Sequence, residues 1–139
     1  MGECGTYVLV IELGERTHLE VGALGALELP ARPYAYVGSA RGPGGFARID
    51  RHRSVAAGDR DVRHWHVDWL LGTEPSRIDA VARYPDEDRE CSLADALPGS
   101  VVPGFGASDC GCRGHLVAAP SPGELIDALR DAGGTVESC

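Results

Sequence analysis

The chain has 139 residues, 43% of them hydrophobic, enough to bury one core of moderate size, so residues 1–139 are expected to form a single domain. No apolar run approaches the roughly 18 residues that a membrane span needs, and the first residues lack the basic stretch and apolar core of a secretion signal. A soluble, cytoplasmic protein with no membrane partner is therefore expected.

All 13 basic residues are arginine, against 21 Asp plus Glu, for a formal charge of -8. One reading is an acidic surface for a cationic partner. The other is a proteome rich in arginine and surface carboxylates, as in salt-loving cells, and the scatter of the carboxylates favours it. Either way, contacts to phosphate must come from a local arginine cluster.

In chain order, residues 6–13 are β-branched and apolar and predict a central strand ending in a turn at Gly14. Residues 17–21 and 26–29 read as short strands with a bend at Gly22 and Gly25, and 34–38 as a further strand. These pieces predict a meander. A glycine-rich loop then leads into a helix over 46–57 closed by Gly58, and a second helix is expected over 64–71, stopped by Gly72. A strand over 77–84, a short helix over 88–97, an ordered loop over 100–114 and a strand over 115–119 follow. Ser121-Pro122-Gly123-Glu124 has the form of a capping box and opens a helix over 122–132, after which the chain is expected to fray. The pattern is α+β: a small antiparallel sheet, mainly three-stranded, flanked by helices.

Arg48 and His52 are four residues apart on the expected helix and project from one face, with Arg51 three residues after Arg48. A guanidinium beside an imidazole suits a phosphate: arginine grips its oxygens and offsets charge, and histidine positions or moves a proton. A solvated helix surface carries the same pattern. Tyr7 and Tyr36 lie on expected strands, where tyrosine also serves as core. The glycines from Gly38 onward let a ligand approach the start of a helix, a position that favours anions.

Together these motifs resemble the GIY-YIG endonuclease superfamily. Gly5-Thr6-Tyr7 is similar to its first motif and Tyr36-Val37-Gly38 to its second, with Arg48 and His52 following on the helix. Tyr36-Val37-Gly38-Ser39-Ala40, Gly42-Pro43-Gly44-Gly45, His64-Trp65-His66-Val67-Asp68, Glu90-Cys91 and Phe105-Gly106-Ala107-Ser108-Asp109-Cys110 resemble its Uri-type branch, over about residues 4–116. The resemblance implies a metal-dependent endonuclease acting on nucleic acid, with DNA the expected substrate. It implies one magnesium or manganese ion held by Glu90, Tyr7 as base or relay for the attacking water, and Tyr36 orienting that water. It further implies Arg48 stabilising the phosphorane and His52 assisting near the water or leaving group. Gly38, Ser39, Arg41 and Arg51 are the expected substrate-binding residues. A phenol titrates near 10, so the base role calls for cations nearby. The long interval between Tyr7 and Tyr36 calls for an extra strand or hairpin. Thr6 stands where the family carries isoleucine, and the late asparagine of compact members has no clear counterpart.

The cysteines, Cys4, Cys91, Cys110, Cys112 and Cys139, are odd in number without a secretion signal, so a disulfide framework is not expected. Cys91, Cys110, Cys112 and His115 are candidate zinc ligands, although their spacing matches no standard finger. The competing reading is buried thiols and a turn beside the site. Zinc would suit the alternative function, a non-cleaving nucleic-acid-binding module of the same fold. A cysteine-based redox protein is a third reading, for which few basic residues lie near the thiols.

Overall fold

The computed structural model describes residues 4–21, 25–40, 45–58, 66–102, 105 and 114–138. Its strands are β1 (Gly5–Leu13), β2 (Thr17–Val21), β3 (Gly25–Leu29), β4 (Pro33–Ser39), β5 (Ser76–Pro85), β6 (Ser100–Val102), β7 (Leu116–Ala118) and β8 (Thr135–Ser138). Its helices are α1 (Ala47–Ala56), α2 (His66–Leu71), α3 (Glu90–Ala96) and α4 (Pro122–Asp131).

The fold is α+β, but the main sheet has six strands rather than three, in the order β6-β7-β4-β1-β5-β8, with antiparallel neighbours throughout. β2 and β3 do not join it. They pair with each other as a separate hairpin between β1 and β4, so the meander is replaced by a direct β1–β4 pairing. The expected fraying at the end is also overturned, because residues 135–138 pair with β5 as an edge strand. Within the expected loop, residues 100–102 form β6 on the other edge.

β1 is apolar at successive positions because both of its faces are covered. Tyr7, Leu9, Ile11 and Leu13 face a core built with α1, α2 and the β2–β3 hairpin, through Ile49, Val55, Val67, Leu70, Leu19 and Leu29. Val8 and Val10 face a second core with α3 and α4, through Leu93, Leu125 and Leu129. The α4 cap forms as its sequence predicts: the Ser121 side chain accepts from the Glu124 N–H, with proline in the first turn.

The register gathers the candidate residues at one end of the sheet. Gly5 lies opposite Pro85, Thr6 opposite Ser39 and Tyr36 opposite Leu116, so the start of β1, the ends of β4 and β5 and the start of β7 share that end. Among the described residues no helix is long and apolar enough to cross a membrane.

Candidate functional site

Tyr7 and Tyr36 stand on neighbouring central strands and face α1. Period-two alternation places Tyr7 with Leu9 on that face, and the cross-strand partner of Leu9 is Tyr36. On α1, Ile49, His52 and Val55 form the buried stripe, so His52 is driven against the sheet by the same periodicity that buries its apolar neighbours. Its Nε2 lies 2.6 Å from the Tyr7 hydroxyl, in a hydrogen bond closed off from solvent. The Tyr7 and His52 ring centres are 5.6 Å apart, and Tyr36 meets His52 edge-on at 6.1 Å. Phe105 also packs edge-on with Tyr36, at 6.4 Å.

Gly38 lies directly opposite Tyr7. A side chain there would run into the Tyr7 ring: its Cβ would meet Cζ and come within 2.5 Å of the hydroxyl and 2.8 Å of Cε1. The space a Cβ at Gly38 would take is filled by the Tyr7 ring. Gly5 has φ 149°, and its Cβ would collide with the Tyr84 carbonyl and the Asp86 N–H, so only glycine fits there.

Arg48 is half-buried, and its Nη1 donates to the Ser39 carbonyl at 2.6 Å, which ties it to the end of β4. Ser39 therefore serves the site through its backbone. Arg51 makes a two-pronged contact with Asp68 of α2, Nη1 to Oδ1 at 3.2 Å and Nη2 to Oδ2 at 3.1 Å. Asp68 is fully buried, and this pair fastens α1 to α2. Arg41 lies outside the described residues.

Glu90 opens α3 and leaves 28% of its side chain exposed, with His115 Nδ1 3.7 Å from Oε2. His115 is almost fully buried, and burial lowers its pKa. The contact is accordingly that of a neutral imidazole beside a carboxylate, too long for a hydrogen bond.

A family model described as a domain of unknown function, DUF123, matches residues 6–137. The chain belongs to the DUF123 family. No curated protein and no solved structure matches it.

Burial and nearby charge act together on the buried phenols and imidazole of this DUF123 domain. Burial pushes the Tyr7 phenol well above its ordinary pKa; the neighbouring Tyr36 adds to the rise, Arg48 opposes it, and Glu90 raises it further. Tyr36 is raised by burial and by Glu90, against Arg48. The charges of Arg48 and Glu90 therefore both reach both phenols. His52 falls to about 4, mainly because burial disfavours its cation; Asp68 opposes the drop, and Arg51 and Arg48 reinforce it. At neutral pH the Tyr7–His52 pair is a neutral phenol against a neutral imidazole. Desolvation outweighs the pull of Arg48 on Tyr7, so the arginine alone does not bring the phenol down.

The cysteine expectations also change. Cys91 is disulfide-bonded, while Cys4 is a free thiol. A disulfide sulfur has no thiolate to give zinc, so Cys91 could serve as a zinc ligand only in its reduced form. Cys110 and Cys112 lie outside the described residues. Among the described residues no cluster of three or more His, Cys, Asp or Glu is placed to hold a metal. A single half-exposed carboxylate such as Glu90 nevertheless suits magnesium, which keeps several waters and takes one or two carboxylates together with substrate phosphate.

Sequence reasoning did not foresee Phe105 as a packing partner of Tyr36 or His115 as the neighbour of Glu90. His115 carried a signal, its spacing from Cys110 and Cys112, but that signal pointed to zinc.

Proposed function

We propose that this DUF123 domain is a metal-dependent endonuclease of the GIY-YIG type that hydrolyses nucleic-acid phosphodiester bonds, with DNA as substrate. The observation that carries the reading is the buried 2.6 Å contact between the Tyr7 hydroxyl and His52 Nε2, in a site where the charges of Arg48 and Glu90 converge on the same phenol.

A phenol held above its ordinary pKa is a poor base alone, but it can pass a proton on. As the Tyr7 oxygen takes a proton from the attacking water, its own proton moves along the hydrogen bond to Nε2. His52 receives it because the ring is neutral at any pH well above 4. This requires the His52 tautomer that carries its proton on Nδ1. Tyr36, packed edge-on against His52, holds that ring in line and presents a second neutral hydroxyl near the water. Arg48, anchored on the Ser39 carbonyl, places its charge where the phosphorane builds up negative charge. Glu90 is the residue that would hold a magnesium or manganese ion, which when bound supplies charge neutralisation at the phosphate and leaving oxygen.

The test is incubation with branched, damaged and plain DNA plus magnesium, across salt up to molar potassium chloride, comparing wild type with Arg48→Ala and Glu90→Ala. Cleavage should fall by on the order of 10^2-fold or more in each variant. Cleavage that survives both substitutions overturns the site, and binding without cleavage on every substrate and metal assigns the domain to the non-cleaving module instead.

A further inference from the structure

We propose that Thr6 is a positioning residue for Glu90, so that the adjacent pair Thr6-Tyr7 sets the carboxylate and the phenol in one fixed relation. The inference rests on Glu90 being the metal ligand of the proposed nuclease.

Thr6 is fully buried on the face of β1 opposite Tyr7. Its Oγ1 donates to the Glu87 carbonyl at 2.8 Å and accepts from the Arg89 N–H at 2.9 Å. One hydroxyl thus closes both sides of the segment directly before Glu90. That segment needs holding. It turns sharply at Asp86, which sits at φ 61°, a left-handed conformation that costs a non-glycine residue energy. Arg89, the residue that caps α3, gives the helix no side-chain cap. Its side chain turns away instead: Nη1 donates to the Ala132 carbonyl at 2.6 Å, and the guanidinium lies 5.2 Å over the Tyr84 ring. The N-terminus of α3, and with it the Glu90 backbone, is therefore referenced to β1 through Thr6 across 83 residues of sequence. The next residue of β1, pointing to the opposite face, is Tyr7. A shift of the Thr6 hydroxyl contact moves Glu90 relative to Tyr7 while leaving the Tyr7–His52 bond in place.

The test is Mn2+ binding to the whole chain, read from the electron paramagnetic resonance of free Mn2+, together with kcat and KM for DNA at saturating metal. Thr6→Val keeps the shape and removes the hydroxyl, Thr6→Ser keeps the hydroxyl, Glu90→Gln removes the ligand charge, and Ser121→Ala is a remote destabilising control. Thr6→Val is expected to weaken Mn2+ binding about tenfold or more and to lower kcat with KM little changed. Thr6→Ser should lie within about twofold of wild type, and Ser121→Ala should leave the Mn2+ Kd unmoved.

Wild-type binding that is lost in Glu90→Gln but unchanged in Thr6→Val overturns the role of Thr6 alone. Absence of Mn2+ binding in wild type, or binding unchanged in Glu90→Gln, overturns Glu90 as ligand and takes the proposal for Thr6 with it. If Thr6→Val does not fold, hydrogen exchange in wild type decides: the Arg89 amide should be strongly protected, and free exchange of that amide contradicts the clamp.

Discussion

Replacing Gly38 by alanine adds one carbon at the point where the Tyr7 ring crosses β4, and its cost follows from the space there. The new Cβ would lie within 2.5 Å of the Tyr7 hydroxyl and 2.8 Å of Cε1, so the ring must move. Tyr7 is 1% exposed and packed among core side chains, which makes the displacement an overpacking of about 1–3 kcal/mol. Moving the ring also breaks the 2.6 Å hydrogen bond to His52, and leaving a buried polar pair unmade adds about 1–3 kcal/mol. A loss of roughly 2–6 kcal/mol is expected, read as a lower urea midpoint at constant slope. The cause is isolated by a double-mutant cycle with Tyr7→Leu, which removes the atoms that the Cβ would strike and keeps apolar bulk. In that background Gly38→Ala should cost less than about 1 kcal/mol, a coupling of the size that touching residues show. Equal costs in the two backgrounds would refute the argument that Gly38 makes room for Tyr7.

Three further outcomes are expected. His52 has a folded-state pKa of about 4 against an ordinary 6.5, so between those values the unfolded chain binds more protons. Its contribution is complete above about pH 6.5 and is lost as pH falls toward 4, in total about 3 kcal/mol. The slope of stability against pH should flatten over that window in His52→Gln, though His115, also lowered by burial, leaves some slope in both proteins. Parallel curves for wild type and variant would contradict the buried neutral imidazole. Arg51→Ala takes the two-pronged partner from the fully buried Asp68 carboxylate and should cost about 3 kcal/mol or more by chemical denaturation, whereas Arg51→Met with Asp68→Leu should cost less. Peptide mapping without reduction should find Cys91 in a disulfide-linked peptide and Cys4 alkylated; alkylation of Cys91 in the unreduced protein would contradict the bond.

Local chemistry made the elements around the site legible. The unbroken apolar run of β1, the serine-proline start of α4 and the stripe of α1 each state their conformation within a few residues. Pairing was less legible. Alternation along β2 shows which side is buried but not what the edge bonds to, so the hairpin read as part of the main sheet. β8 is short and follows two glycines, and only its ladder with β5 makes it a strand. The site divides in the same way. Tyr7, Tyr36 and His52 were visible as residue types at suggestive places, but their contact spans 45 positions and depends on how α1 lies on the sheet. The pairing of Arg51 with Asp68 was not legible, because nothing on its own helix announces Asp68. Spacing reveals the charges near Tyr7 but not the depth of burial that outweighs them. Thr6 showed only as a departure from the family's isoleucine, since a threonine in a strand usually reports β propensity alone.

The central claim, that the phenol of Tyr7 relays the proton of an attacking water, is tested most directly by single-turnover cleavage of DNA at saturating magnesium with Tyr7→Phe. The ring and its packing are kept and only the hydroxyl bonded to His52 is lost. The rate should fall by on the order of 10^2–10^4-fold, with DNA binding little changed. Cleavage by Tyr7→Phe within about threefold of the wild-type rate would contradict the account.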